Sequence, residues 1–176
     1  MNSETQLIRS WNELLPLETR SLVVLDIDET FLWFPTINDA WWKNLLKSLI
    51  AKHGHETAQR LAREEWKRVV STEPPMQTDT EGFQALNHSI KKTNSILIFL
   101  TARLESFAPL TRKHLTDCGV SADVEVHYST SKGETLRQIR SRHPHCANVI
   151  FVDDKPSNLV DVLQYNPKVN VYQWMH

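Results

Sequence analysis

Residues 22–31 read LVVLDIDETF, an apolar run that stops at two aspartates one residue apart and is followed by a threonine. Leu22, Val23, Val24 and Leu25 carry no alternating polar face, which is the pattern of a strand buried on both sides of a parallel sheet. Side chains alternate along a strand, so Asp26 and Asp28 are expected to point the same way where the chain leaves the sheet. The carboxyl end of a parallel strand is where open α/β sheets place their ligands. Two carboxylates there repel unless one keeps its proton or a divalent cation such as Mg²⁺ lies between them. With a cation bound, one carboxylate can attack a phosphoryl group while the other protonates the leaving alcohol. On its own the D-x-D pattern is a weak signal, since a pair of acids in an ordinary turn after a strand is the commoner reading.

The rest of the chain favours the first reading by repetition. A second apolar run, residues 96–100, ends in Thr101-Ala102-Arg103. A threonine hydroxyl and neighbouring backbone N–H groups at a strand end can hold phosphoryl oxygens, and Arg103 can add charge; the other reading is a plain loop start. Residues 124–128 read as a third strand. Lys132 then stands near the start of a helix reaching about residue 142, where a cation opposes the helix dipole. Holding an acidic cluster together would justify it; a solvated surface lysine is the alternative. A fourth run, residues 149–152, ends in Asp153-Asp154-Lys155-Pro156-Ser157-Asn158. Asp153, with Asp154 beside it, can complete an oxygen cage for Mg²⁺, and Asn158 can orient one of them. Residues 169–174 read as the last strand.

Between the first two strands lies more chain than a crossover helix needs. Residues 34–80 are therefore expected to form a small helical insert within a single domain spanning residues 1–176. One helix is expected after Pro35, capped by Thr36 or Asn38, a second over 56–70 ended by Pro74-Pro75, and a third over about 80–91 leading into the next strand. The insert, with the residue just before it, gathers Trp33, Trp41, Trp42 and Trp66. Aromatics of this kind fill thin cores or select substrates, and Trp33, closest to the aspartates in sequence, is the one assigned to substrate binding. Before the first strand, Leu7, Ile8, Trp11, Leu14 and Leu15 at helical spacing predict a helix over 4–15, capped by Ser3, on the sheet edge. A further helix is expected over about 106–117, with Gly119 just past its end.

Composition narrows the function classes. The chain has 176 residues, with 20 Lys+Arg against 21 Asp+Glu, so no broad field favours nucleic acid or membrane. Two cysteines, Cys118 and Cys146, do not make a disulfide framework. The first twenty residues lack the basic start and apolar core of a signal peptide, and no apolar run reaches ~20 residues, so a cytoplasmic protein is expected. His53-Gly54-His55 and His143-Pro144-His145-Cys146 lack a second ligand pair at zinc spacing. The interleaved charges of Arg60, Arg63, Glu64, Glu65, Lys67 and Arg68 fit a solvated helix face.

In this order, DIDET, FLTAR, SKGETL and FVDDKPSNL resemble the four motifs of the haloacid dehalogenase-like superfamily of phosphotransferases. The resemblance runs from Leu22 to Asn158 and leaves out the insert. It implies a three-layer Rossmann-like α/β fold, a parallel five-stranded sheet in order 5-4-1-2-3, with the insert as a small cap. It implies Asp26 as nucleophile, Asp28 as general acid/base, Thr101 as phosphoryl ligand and Lys132 as stabiliser of nucleophile and phosphate. Mg²⁺ would be held by Asp153 with Asp154, the Asp26 carboxylate and the backbone carbonyl of Asp28. An aspartate at position 28 favours phosphoryl chemistry over carbon–halogen cleavage. The expected activity is a Mg²⁺-dependent phosphomonoester hydrolase acting on a phosphorylated small molecule or phosphoprotein. A phosphomutase, or a silent domain that binds a protein partner, are the alternatives. A phospho-accepting receiver domain also clusters such residues, but in a different order along the chain.

Overall fold

A computed structural model of the chain describes residues 5–176. In chain order its elements are β1 (Gln6–Ile8), a 3-10 turn (Trp11–Leu14), β2 (Leu22–Leu25), β3 (Leu32–Trp33), α1 (Asp39–His53), α2 (His55–Val70) and β4 (Met76–Gln77). Then follow α3 (Thr80–Lys92), β5 (Ile96–Thr101), α4 (Ala108–Asp117), β6 (Glu125–Tyr128), α5 (Lys132–Arg142), β7 (Val149–Asp153), α6 (Pro156–Tyr165) and β8 (Asn170–Trp174). They fall into two compact units. The first comprises the described residues up to Phe31 with Thr78–Glu105 and Asp123–His176, and the second comprises Leu32–Gln77 and Ser106–Ala122.

The first unit is built on a six-stranded sheet in the order β1-β8-β7-β2-β5-β6, parallel throughout. The α/β class and the central place of the first motif strand are as the sequence predicts. The five expected strands keep their order inside the sheet, and the strand count is six rather than five. All four residues of β2 are fully buried, which explains why its sequence shows no alternation. Leu22, Val24, Ile98, Leu100 and Phe151 pack on one face with Leu136 and Ile139 of α5 and Leu159 and Val162 of α6. On the other, Phe31 meets Phe83 of α3 and Phe99 edge-on, with ring centroids 4.7 and 5.0 Å apart. Burying each such side chain contributes about 1.5–3 kcal/mol, so the three layers are held chiefly by these two apolar faces.

The helix expected over 4–15 is absent among the described residues, and its cap Ser3 and first residue Glu4 lie outside them. Gln6, Leu7 and Ile8 instead pair in parallel with Tyr172, Gln173 and Trp174. Leu7 is exposed and Ile8 buried, the alternation of a strand. The local signal that prevails is Ser10-x-x-Glu13, a capping box. Ser10 is extended, its hydroxyl accepts from Asn12 N, and the Glu13 carboxylate accepts from Ser10 N at 3.0 Å. The turn therefore starts at Trp11, whose buried ring stacks on Trp174 at 4.2 Å. Satisfying the open edge of β8 outweighs the helical spacing of a few apolar residues.

In the second unit, α1 and α2 form a hairpin about Gly54, whose φ of 75° lets one residue end the first helix and start the next. Asn38 is the cap of α1, its side chain accepting from Trp41 N at 2.8 Å. A two-stranded antiparallel ribbon, β3 with β4, joins Leu32 to Gln77 and Trp33 to Met76, a feature two-residue strands do not announce in sequence. Trp66 stacks on Phe107, and the His114 ring packs on Phe34 with Nε2 3.0 Å from the Val70 carbonyl oxygen. Trp33, Trp41, Trp42 and Trp66 are each half-buried. Among the described residues no helix is long and apolar enough to cross a membrane.

Candidate active site

β2, β5 and β7 lie side by side, with Leu25 level with Phe99 on one flank and Val152 on the other. The residues that follow them therefore meet at one end of the sheet. Asp26 leaves β2 with its N–H donated to the Val152 carbonyl at 2.9 Å, and its side chain is almost wholly buried. Lys132, at the first position of α5 and fully buried, sends Nζ to within 2.6 Å of both Asp26 Oδ1 and Asp153 Oδ2. This is the acidic partner that a lysine at a helix start requires. The N-terminus of α5 is also met by the Asp161 carboxylate, which accepts from Gly133 N at 2.7 Å, so the dipole is answered by an acid.

Asp153 is fixed on every side. Asn158 Nδ2 lies 2.9 Å from each of its oxygens, and Lys155 N donates to Oδ1 at 2.9 Å. Asn158 thus orients the aspartate, as its spacing suggested. Thr30, fully buried, ties the two acidic loops together: its Oγ1 accepts from Asp154 N at 2.9 Å, and lies 3.4 Å from Asp154 Oδ1 and 3.5 Å from Asp26 Oδ2. Sequence alone gives Thr30 no role beyond following the two aspartates. Its position four residues after Asp26 was the available signal.

One oxygen each from Asp26, Asp153 and Asp154 lies within 4.8 Å of the others. Burial, with Asp153 and Asp154 adding like charge against the pull of Lys132, pushes the Asp26 carboxyl up to about 7. Burial and the neighbouring Asp153 push Asp154 up to about 6. Burial works against charge on Lys132, but the two carboxylates prevail and hold its pKa above the ordinary value. The trio is short of positive charge, and its donors are all hard carboxylate oxygens. That donor set fits Mg²⁺.

Asp28 stands apart from this trio. β2 ends at Leu25, so both acids lie in the loop beyond it and strand alternation does not set their directions. The Asp28 carboxylate is instead gripped by Arg103, with Nε 2.8 Å from Oδ2 and Nη2 2.6 Å from Oδ1. Thr101 ends β5, buried, with Oγ1 accepting from Arg103 N at 3.2 Å; Ala102 between them is exposed. Trp33 belongs to β3 in the other unit. Elsewhere, His143 faces Glu125 with Nε2 3.7 Å from Oε2, and Cys118 and Cys146 are both free thiols.

The parallel sheet with this strand order, flanked by helices, gives the chain a haloacid dehalogenase-like fold. The solved HAD domain of effector protein Lem4 from Legionella pneumophila, an inactive mutant, superposes with a TM-score of 0.50 at 10% identity, covering 90% of this chain and 86% of that one. No protein-family model matches the chain, and a search of curated proteins gives no match.

Proposed function

We propose that the protein is a Mg²⁺-dependent phosphomonoester hydrolase working through an aspartyl-phosphate on Asp26. The observation that carries the reading is the Lys132 ammonium bridging Asp26 and Asp153 beside a third carboxylate, Asp154, at the strand ends of an HAD-like fold. Asp26, Asp153, Asp154 and the backbone carbonyl of Asp28 would hold Mg²⁺, whose charge when bound draws in and polarises the phosphoryl group. Lys132 holds the Asp26 carboxylate by its Oδ1. An Asp26 oxygen attacks phosphorus, the bond to the ester oxygen breaks, and Asp28 gives its proton to that oxygen. Water then attacks the same phosphorus as Asp28 takes its proton, releasing phosphate and restoring Asp26. Thr101, with the backbone at Ala102, steadies the phosphoryl oxygens.

The substrate is a phosphorylated small molecule or phosphoprotein, with neither nucleic acid nor membrane as partner, in keeping with the balanced charge of the chain. Trp33 contributes to choosing it, an assignment that rests on its closeness in sequence to Asp28. The test is hydrolysis of p-nitrophenyl phosphate with Mg²⁺, with EDTA, and by Asp26→Asn. Turnover that requires both the metal and Asp26 is expected. Undiminished turnover in Asp26→Asn would overturn the nucleophile, and none under any condition would overturn the activity.

A further inference from the structure

The buried guanidinium of Arg103 has no part in the steps above. Its side chain is only 2% exposed, while that of Asp28 is 33% exposed, and the two meet as a fork on a carboxylate. Taking a guanidinium out of water is costly unless its partner matches it closely, which separates this contact from a casual surface pair. Two parallel charge-assisted hydrogen bonds fix a carboxylate plane in a way that a single ammonium contact does not. Both ends of the pair hang from adjacent strands: Asp28 follows β2, Arg103 follows β5, and the strands run in register through Leu25 and Phe99. The Arg103 backbone is itself tied to Thr101 Oγ1. The clamp is thus built on the sheet.

We propose that Arg103 is a positioning residue that acts through Asp28. It holds the Asp28 carboxyl group in the orientation from which its proton passes to the leaving-group oxygen, and makes the turnover of esters with basic leaving groups depend on a residue that touches no substrate. The inference rests on the phosphatase reading and deepens it. An arginine serving to bind phosphoryl oxygens directly would spend its N–H groups on the substrate; here Nε and Nη2 are committed to Asp28.

A leaving-group series separates these roles. The wild type, Arg103→Lys, Asp28→Asn and the double variant are assayed with Mg²⁺ on p-nitrophenyl phosphate, phenyl phosphate and glycerol phosphate. A nitrophenolate departs without a proton and an alkoxide does not, so a misplaced acid is felt most by the alkyl ester. Arg103→Lys is expected to lose kcat by ~100-fold on glycerol phosphate, at the low end of what general acid catalysis supplies, and at least ~10-fold less on the nitrophenyl ester, with KM unchanged. Asp28→Asn should show the same trend, and adding Arg103→Lys to it should cost nothing further. A KM rise of equal size on all three esters would make Arg103 a phosphoryl ligand and overturn the proposal, as would a kcat loss independent of the leaving group. Should Arg103→Lys fail to fold, the arginine side-chain NMR signals of the wild type and Asp28→Asn decide: a slowly exchanging Nε–H lost in Asp28→Asn supports the clamp, and one retained there overturns it. Absence of wild-type turnover would overturn the phosphatase reading and this role with it, whereas a loss that ignores the leaving group overturns this role alone.

Discussion

Replacing Lys132 by Met tests the acidic cluster without relying on turnover. The lysine Nζ is the shared partner of Asp26 and Asp153 at 2.6 Å each, and the three side chains are 1%, 8% and 0% exposed. Methionine keeps most of the volume, so little of the effect comes from a cavity. What remains is a pair of buried carboxylates without their counter-charge, and breaking a buried pair in this way costs about 3–5 kcal/mol. At about 2–4 °C per kcal/mol for a chain of this size, the melting temperature in EDTA should fall by roughly 6–20 °C at pH 8. The sign of the pH dependence follows from Asp26. Its carboxyl titrates at about 7 in the folded protein against 3.8 for the ordinary side chain, so its contribution to stability is present in acid and is lost as pH rises through 7. Without Lys132 that carboxyl is pushed higher still, and the deficit of the variant should widen from pH 5 to pH 8. Added Mg²⁺ should narrow it by supplying the missing charge. Thermal melts and denaturant titrations of both proteins at the two pH values, with EDTA and with Mg²⁺, measure all of this. A loss below about 1 kcal/mol at pH 8, far under the cost of an unpaired buried carboxylate, would refute the reasoning, as would a loss equal at both pH values.

Three further outcomes can be checked. Gly133→Ala would place a Cβ 2.3 Å from the Asp161 carbonyl oxygen and 2.7 Å from the Tyr165 ring, forcing α5 off α6. It should cost about 2–3 kcal/mol in urea unfolding; a change of a few tenths would show that the helices approach less closely. Asp153→Asn removes one charged ligand and should shift Mg²⁺ activation to higher concentration, whereas an unmoved activation curve would remove Asp153 from the metal site. Burial pushes the Cys118 thiol up to about 11, so its alkylation by iodoacetamide should go on accelerating with pH beyond 9; a plateau near pH 8.5 would refute that.

What could be read from the sequence divides along a physical line. β2, β5 and β7 are buried on both faces, and such strands announce themselves as unbroken apolar runs. The polar residues that end them announce the site for the same reason. Lys132 was legible as an anomaly, a cation where a helix dipole disfavours one, and the anomaly resolves into two carboxylates at the ends of β2 and β7. β1 was not legible in the same way. Three residues give no period long enough to compete with a helical pattern, and the partner that makes them a strand, β8, lies at the other end of the described chain. The capping box at Ser10 and Glu13 was present in the letters and carried the better information, because it fixes where a turn must begin.

Pair identity is the harder quantity. Thr101 and Arg103 sit in one short motif and invite one shared task, yet their side chains serve different ends. The Thr101 hydroxyl is anchored on its own loop, and the Arg103 guanidinium crosses to an acid 75 residues away. Nothing in spacing predicts that crossing, because it depends on β5 lying beside β2 rather than on either segment alone. It also changes what the motif means. Asp26 is held by a lysine that also holds Asp153, and Asp28 by the fork of Arg103. Two aspartates one residue apart are thereby given separate counter-ions, one a point charge and one a planar fork. A point charge shared between two acids suits a cluster proposed also to accept a metal. A fork suits a carboxylate whose direction matters, and the difference between the two cations is the structural reason to assign the two acids different work.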